Sequence, residues 1–118
     1  MTQEDKELLL KDLCARLPYG VVVKDRNGVH ILTPGNTEFT DLFNSKCNIA
    51  PYLFPLSSMT EEQRENYYTT CDVGVTEWGN TIYYDCIESF DWLNKNHFDY
   101  RGLIPKGLAI DATGLNIY

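Results

Sequence analysis

Three short polar sequences narrow what this chain can fold into: Thr2-Gln3-Glu4-Asp5, Thr60-Glu61-Glu62-Gln63 and Asp85-Cys86-Ile87-Glu88. Each puts capping and acidic side chains where a helix begins, satisfying free N–H groups and opposing the positive end of the helix dipole. They predict helices near 3–17, 61–70 and 86–96. The runs between them are β-branched or broken by proline and glycine, which favours extended chain. The expected architecture is α+β: a single domain over residues 1–118, with about three helices packed on a short antiparallel sheet or hairpin.

Periodicity assigns the faces. In the first helix Leu9, Leu10, Leu13, Cys14 and Leu17 form one apolar stripe, Leu8 lies outside it, and Pro18 and Gly20 end it. In the second, Tyr67 is the expected core contact while Glu61, Glu62, Arg64 and Glu65 face water. In the third, Cys86, Phe90, Leu93 and His97 recur at one helical face, with Trp92 at its edge. Residues 21–25 and 29–33 read as strands of a hairpin turning at Asn27-Gly28, so that Arg26 faces Val29 and Asp25 faces His30 as a surface pair. Pro34-Gly35-Asn36 closes the hairpin, and residues 38–43 read as a third strand or one helical turn, with strand the favoured reading. Pro51 and Pro55 make residues 49–56 extended and confine their pairing to a sheet edge, with Tyr52, Leu53, Phe54 and Leu56 across the core. Residues 73–84, interrupted at Gly79-Asn80, suit a loop or irregular hairpin. Leu103-Ile104 and Leu108-Ala109-Ile110 are anchors for a docked C-terminal tail.

Composition excludes several function classes. The longest nearly uncharged apolar run, 49–56, contains two prolines, whereas a membrane-crossing helix needs about 20 apolar residues. The acidic start lacks the basic region of a secretory signal, so the expected location is the cytoplasm, with no membrane partner. A formal charge of −7 makes duplex nucleic acid an unfavourable partner. That charge is uneven: residues 92–110 hold Lys95, Arg101 and Lys106 against Asp99, a local excess of +2. The four cysteines (Cys14, Cys47, Cys71 and Cys86) form no CxxC pair, which favours buried free thiols over zinc or disulfides.

No catalytic constellation is assembled along the chain. There is no GxSxG elbow, Ser57-Ser58 precedes a helix where serine caps more often than it reacts, and no phosphate-binding glycine loop occurs. Cys14 or Cys86 with His97 would need a reactive thiol on a face expected to be buried. His97-x-Asp99 supplies two metal ligands where a closed site needs more. No catalytic residue, metal or cofactor is therefore assigned, and enzyme activity ranks behind binding. The segment 92–106 is the strongest binding candidate: Trp92, His97, Phe98 and Tyr100 interleave with Lys95, Arg101 and Lys106, and aromatic faces plus cations suit stacking on a base or gripping an anion. The competing architectural reading pairs Asp99 with Arg101 to shape the turn and packs the aromatics on helices one and three.

Three stretches also carry a resemblance: Ala15-Arg16-Leu17-Pro18-Tyr19-Gly20-Val21; the thirteen residues Pro51-Tyr52-Leu53-Phe54-Pro55-Leu56-Ser57-Ser58-Met59-Thr60-Glu61-Glu62-Gln63; and Phe90-Asp91-Trp92-Leu93 with His97-Phe98-Asp99-Tyr100-Arg101-Gly102-Leu103-Ile104 and Lys106-Gly107-Leu108-Ala109. Together they resemble a family of short uncharacterised proteins encoded by gut-anaerobe genomes and their prophages or mobile elements. The resemblance implies bacterial or phage origin and brings no catalytic residue with it. Two function classes follow. The first is a non-enzymatic interaction protein, an accessory factor that binds another protein; the second is a binder of a small anion, nucleotide or single-stranded nucleic acid through 92–106. On the redox reading, alkylation under denaturing, non-reducing conditions is expected to label four thiols per chain, and two or fewer would overturn it.

Overall fold

Thr2 closes the first predicted cap: its hydroxyl accepts from the Asp5 N–H at 3.1 Å while the Asp5 carboxylate accepts from the Thr2 N–H at 3.2 Å. The computed structural model describes residues 2–25, 28–33 and 49–118. From this cap runs α1 (Gln3–Arg16), followed by a 3-10 turn at Leu17–Tyr19 that ends at Gly20, whose φ of 72° suits a residue without a side chain. Leu9 and Leu13 of the predicted stripe are fully buried. Cys14, also placed on that stripe, is exposed instead, because the stripe turns through Asp12 and Arg16, both fully buried.

Strands β1 (Val22–Asp25) and β2 (Gly28–Ile31) form the expected antiparallel hairpin. Its register corrects the expected one: Asp25 faces Gly28, Lys24 faces Val29 and Val23 faces His30, so residues 26 and 27 connect the strands. This register brings the buried hairpin ends together, with the Leu32 N–H donating to the Val21 carbonyl at 2.9 Å. His30 reaches diagonally to Asp25, Nε2 to Oδ2 at 2.7 Å. Asn27, the closing turn at 34–36 and the expected strand at 38–43 lie outside the described residues.

The larger correction concerns β3 (Ala50–Pro55). Despite two prolines it is an interior strand, antiparallel to β1 and parallel to two short strands, β6 (Phe98–Asp99) and β7 (Ile110–Asp111). β1 pairs at Ala50 and Pro51, and the hydrogen bonds toward β6 and β7 are carried by backbone groups between the prolines. The Phe54 N–H donates to the His97 carbonyl at 2.8 Å, and the Leu53 carbonyl accepts from the Ala112 N–H at 2.8 Å. Alternation along β1 and β3 then builds two apolar clusters. Leu9, Leu13, Val21, Val23, Leu53, Leu103 and Leu108 share one; Val22, Tyr52 and Ala112, with Phe54 and Ile117, share the other.

Between β3 and β6 the chain makes an excursion of two helices and a hairpin. α2 (Glu61–Thr70) starts at the predicted Thr60–Gln63 capping box. No residue of α2 is fully buried; Tyr67 is half-buried, tilts against Trp92 with ring centroids 5.7 Å apart, and bonds to the Asp85 carboxylate. The predicted irregular segment is a regular antiparallel hairpin, β4 (Asp72–Val75) and β5 (Thr81–Tyr84), forming its own two-stranded sheet. Thr76 and Gly79 make the difference. The Gly79 N–H donates to the Thr76 carbonyl, the Thr76 N–H donates to the Asn80 carbonyl, and Gly79 sits at φ 80°, closing a three-residue loop with Trp78 at its tip. In α3 (Ile87–Lys95) the buried residues are Ser89, Leu93 and Asn94; Phe90, expected on that face, is exposed, and Cys86 is half-buried. The result is a single small α+β domain, with three helices and two small sheets among the described residues.

The fold joins its two ends through Asp12. Its carboxylate takes Arg16 Nε at 2.9 Å and Arg101 Nε at 3.2 Å. Removing one partner of a buried ion pair strands the other charge. Asp12→Ala is expected to lower stability by about 3–5 kcal/mol, and Arg101→Ala, at the rim of the cluster, by about 1–3 kcal/mol. Urea unfolding of the two variants checks both values, and an unchanged midpoint for Arg101→Ala would mark that side chain as a free anion grip.

Candidate functional site

The segment 92–106 begins in the last turns of α3 and leaves the helix at His97, whose φ of 63° reverses the chain into β6. Asp99 then organises the next turn. Its two carboxylate oxygens accept from the backbone N–H groups of Leu103 and Ile104, both at 2.9 Å, which delivers Leu103 to the core. Asp99 is therefore not the partner of Arg101, as the architectural reading had it; Arg101 crosses to Asp12 on α1.

Aromatic and cationic groups do meet here, largely within the protein. The ring of Tyr100 lies under both guanidinium groups, 5.4 Å from Arg16 and 4.8 Å from Arg101. Its hydroxyl donates to Asn94 Oδ1 at 3.0 Å and accepts from Arg101 Nη2 at 3.0 Å. Arg16 Nη2 donates to the Phe98 carbonyl at 2.5 Å. Phe98 is buried and stacks on half-buried Trp92, with centroids 5.7 Å apart and planes 7° from parallel. Of the seven residues singled out by sequence, Trp92, Phe98, Tyr100 and Arg101 are thus linked in packing and bonding through Arg16, His97 stacks instead on Tyr118, and Lys95 and Lys106 stand exposed.

His97 is the most unusual group. It is buried, its ring stacks on Tyr118 at 3.7 Å, and its Nδ1 has no hydrogen-bond partner among the described residues. Burial, with Arg16 nearby as the lesser cause, pushes its pKa from 6.5 down to about 4. Tyr118 in turn bridges the sheet: its hydroxyl donates to the Tyr52 carbonyl at 2.7 Å and accepts from the Val22 N–H at 3.0 Å. Burial raises the Tyr118 phenol to about 12, so it stays a donor.

Sequence reasoning did not single out Asp12, Arg16, Asn94 or Tyr118. A signal for the first two existed: Asp12 and Arg16 are four apart and share the Leu9–Leu13 stripe, although such a pair is more often solvated. Nor did it single out the exposed apolar groups around the second sheet. Trp78 is 84% exposed, Ile87 78%, Val75 72% and Val73 63%. No group of three or more His, Cys, Asp or Glu side chains converges on a point among the described residues, and no described helix is long and apolar enough to cross a membrane. No family model, curated protein or solved structure matches this chain.

Neutral His97 makes stability depend on pH with a definite sign. Above pH 6.5 neither state binds the proton; between 6.5 and about 4 the unfolded chain takes it and the folded chain refuses it. The His97 contribution is therefore complete above pH 6.5 and lost progressively down to about pH 4, by up to about 3 kcal/mol. Asparagine tolerates positive φ, so His97→Asn is expected to fold and to lack this component. The difference in urea midpoints between wild type and variant, followed from pH 7.5 to 4, reads it directly.

Proposed function

We propose that the chain is a non-enzymatic interaction protein, an accessory factor of a phage or mobile element that binds another protein in the bacterial cytoplasm. The apolar exposure of the β4–β5 hairpin and the start of α3 carries this reading. Val73, Val75, Tyr83 and Tyr84 are exposed on a sheet separate from the one that holds the core, Trp78 is exposed in the loop that joins its strands, and Ile87 is exposed at the start of α3. Large exposed apolar groups gathered in one region mark contact surfaces, and Trp and Tyr supply much of the binding energy where proteins meet. The genomic setting rests on the sequence resemblance described above.

The engagement of 92–106 supports the same choice. Arg101 bonds to Asp12, His97 is stacked beneath Tyr118 and Phe98 is buried, which leaves Lys95 and Lys106 as the exposed cations of that segment. The test is affinity capture from nuclease-treated bacterial host lysate with three baits: wild type, Trp78→Ser, and Lys95→Ala/Lys106→Ala. A defined protein held by wild type and the lysine variant, and reduced at least tenfold on Trp78→Ser, is the expected outcome. Binding of nucleotide or single-stranded oligonucleotide that disappears in the lysine variant would overturn the reading in favour of an anion binder.

A further inference from the structure

The charge of this protein is concentrated where its apolar groups are exposed. Residues 61–91 hold eight acidic side chains and one basic one, Arg64, an excess of −7 that equals the formal charge of the whole chain; the remaining sequence balances nine acids with nine bases. All nine charged residues of this stretch are exposed. The same stretch carries a sheet face largely open to solvent, with Val73 63% and Val75 72% exposed. In the β4–β5 register Val73, Val75, Thr81 and Tyr83 share a face, while on the opposite face the ring of Tyr84 lies so close over Gly74 that a Cβ there would meet it at 2.7 Å.

The face of Val73 and Tyr83 continues into an open groove of about 380 Å³ between α2 and the hairpin, lined by Glu65, Tyr68, Thr69, Cys71, Val73 and Tyr83. Tyr68 and Tyr83 stack at 4.3 Å with planes 16° apart, forming a two-ring aromatic wall in a groove that Glu65 also lines. A carboxylate with aromatic rings suits a guanidinium or ammonium group, through ion pairing and cation–π attraction together. Building on the interaction reading, the geometry points to one occupant: a cationic protein segment that lies along the hairpin face and places an Arg or Lys side chain in the Glu65–Tyr68–Tyr83 groove. A second copy of this chain would bring −7 against −7, and nucleic acid or an anionic membrane would be repelled likewise. A basic partner gains steering and pairing, while the exposed Val and Trp side chains supply the apolar contact.

The test uses the full chain and three synthetic hexapeptides, Arg-Thr, Lys-Thr and Glu-Thr each repeated three times, with amide chemical shifts as the readout. The arginine and lysine peptides are expected to shift amides of residues 65–83, with affinity falling at least tenfold between 50 and 500 mM salt, and the glutamate peptide to leave them unmoved. Glu65→Gln is expected to weaken the arginine peptide at least fivefold and Glu65→Lys to abolish its binding, with both variants keeping the wild-type thermal midpoint. Indifference to peptide charge, shifts centred elsewhere, or self-association at the same face in sedimentation would overturn the proposal. In the capture experiment, a partner lost on Trp78→Ser but held equally by Glu65→Lys leaves the interaction reading standing and overturns the cationic occupant. A partner retained by both Trp78→Ser and Glu65→Lys places the contact off the hairpin and overturns the cationic occupant, whereas nucleotide or oligonucleotide binding lost with Lys95 and Lys106 overturns the interaction reading itself.

Discussion

One buried carboxylate holds the ends of the domain together. Asp12, fully buried, lies between the guanidinium groups of Arg16 from its own helix and Arg101 from a turn 89 residues further on. An unpaired charge in that position would be costly, so helix α1 and the turn after β6 are stable only in each other's presence. The Tyr100 ring beneath both cations and the Phe98 carbonyl on Arg16 complete the cluster. The charge of Arg16 also contributes to keeping His97 neutral, although burial is the larger cause.

A second tie covers the opposite side of the sheet. The Tyr118 hydroxyl serves a donor on β1 and an acceptor on β3, and its ring lies on His97 and beside Phe54. Strand β3 is therefore bound on successive residues by β1, β7, β6 and a side-chain hydroxyl, and its two prolines remove N–H groups where few partners are required. Both ties use polar atoms inside the fold, and both specify which segments meet, since buried polar groups are satisfied in few arrangements.

The molecule separates structural from surface chemistry. The sequence outside residues 61–91 is charge-balanced, and the α1–β1–β3–β6 body engages Arg16, Arg101, Phe98 and Tyr100 in its own contacts. The α2–hairpin–α3 excursion has few buried residues, bears the acidic excess and exposes Trp78, Val73 and Val75. On the proposed reading, such a division lets the composition of the contact surface be set by a partner rather than by packing. Tyr67 against Trp92, the Tyr67–Asp85 bond and the Cys86 thiol donating to the Thr70 carbonyl tie α2 to α3 and the residues before it.

Local signals in the sequence determined the local structure. The Thr2 and Thr60 capping boxes, the stops at Pro18 and Gly20, the positive φ at Gly28 and the hairpin from Val22 to Ile31 follow from side chains acting on backbone within a few residues. The α+β class follows from their order. What a distant partner decides was not legible. Asp12 and Arg16 look like a solvated i, i+4 pair until Arg101 and Tyr100 arrive to cover them, and Pro51 and Pro55 look like edge signals until β6, β7 and Tyr118 supply bonds to the residues between. The candidate site divided in the same way. Its residue types could be read at 92–106, but whether a cation there faces solvent or Asp12 depends on a contact across 89 residues, which no local pattern encodes. The exposed hairpin was hidden for the converse reason: Val73, Val75 and Trp78 have the composition of a core strand, and only the tertiary structure shows that they are left largely exposed.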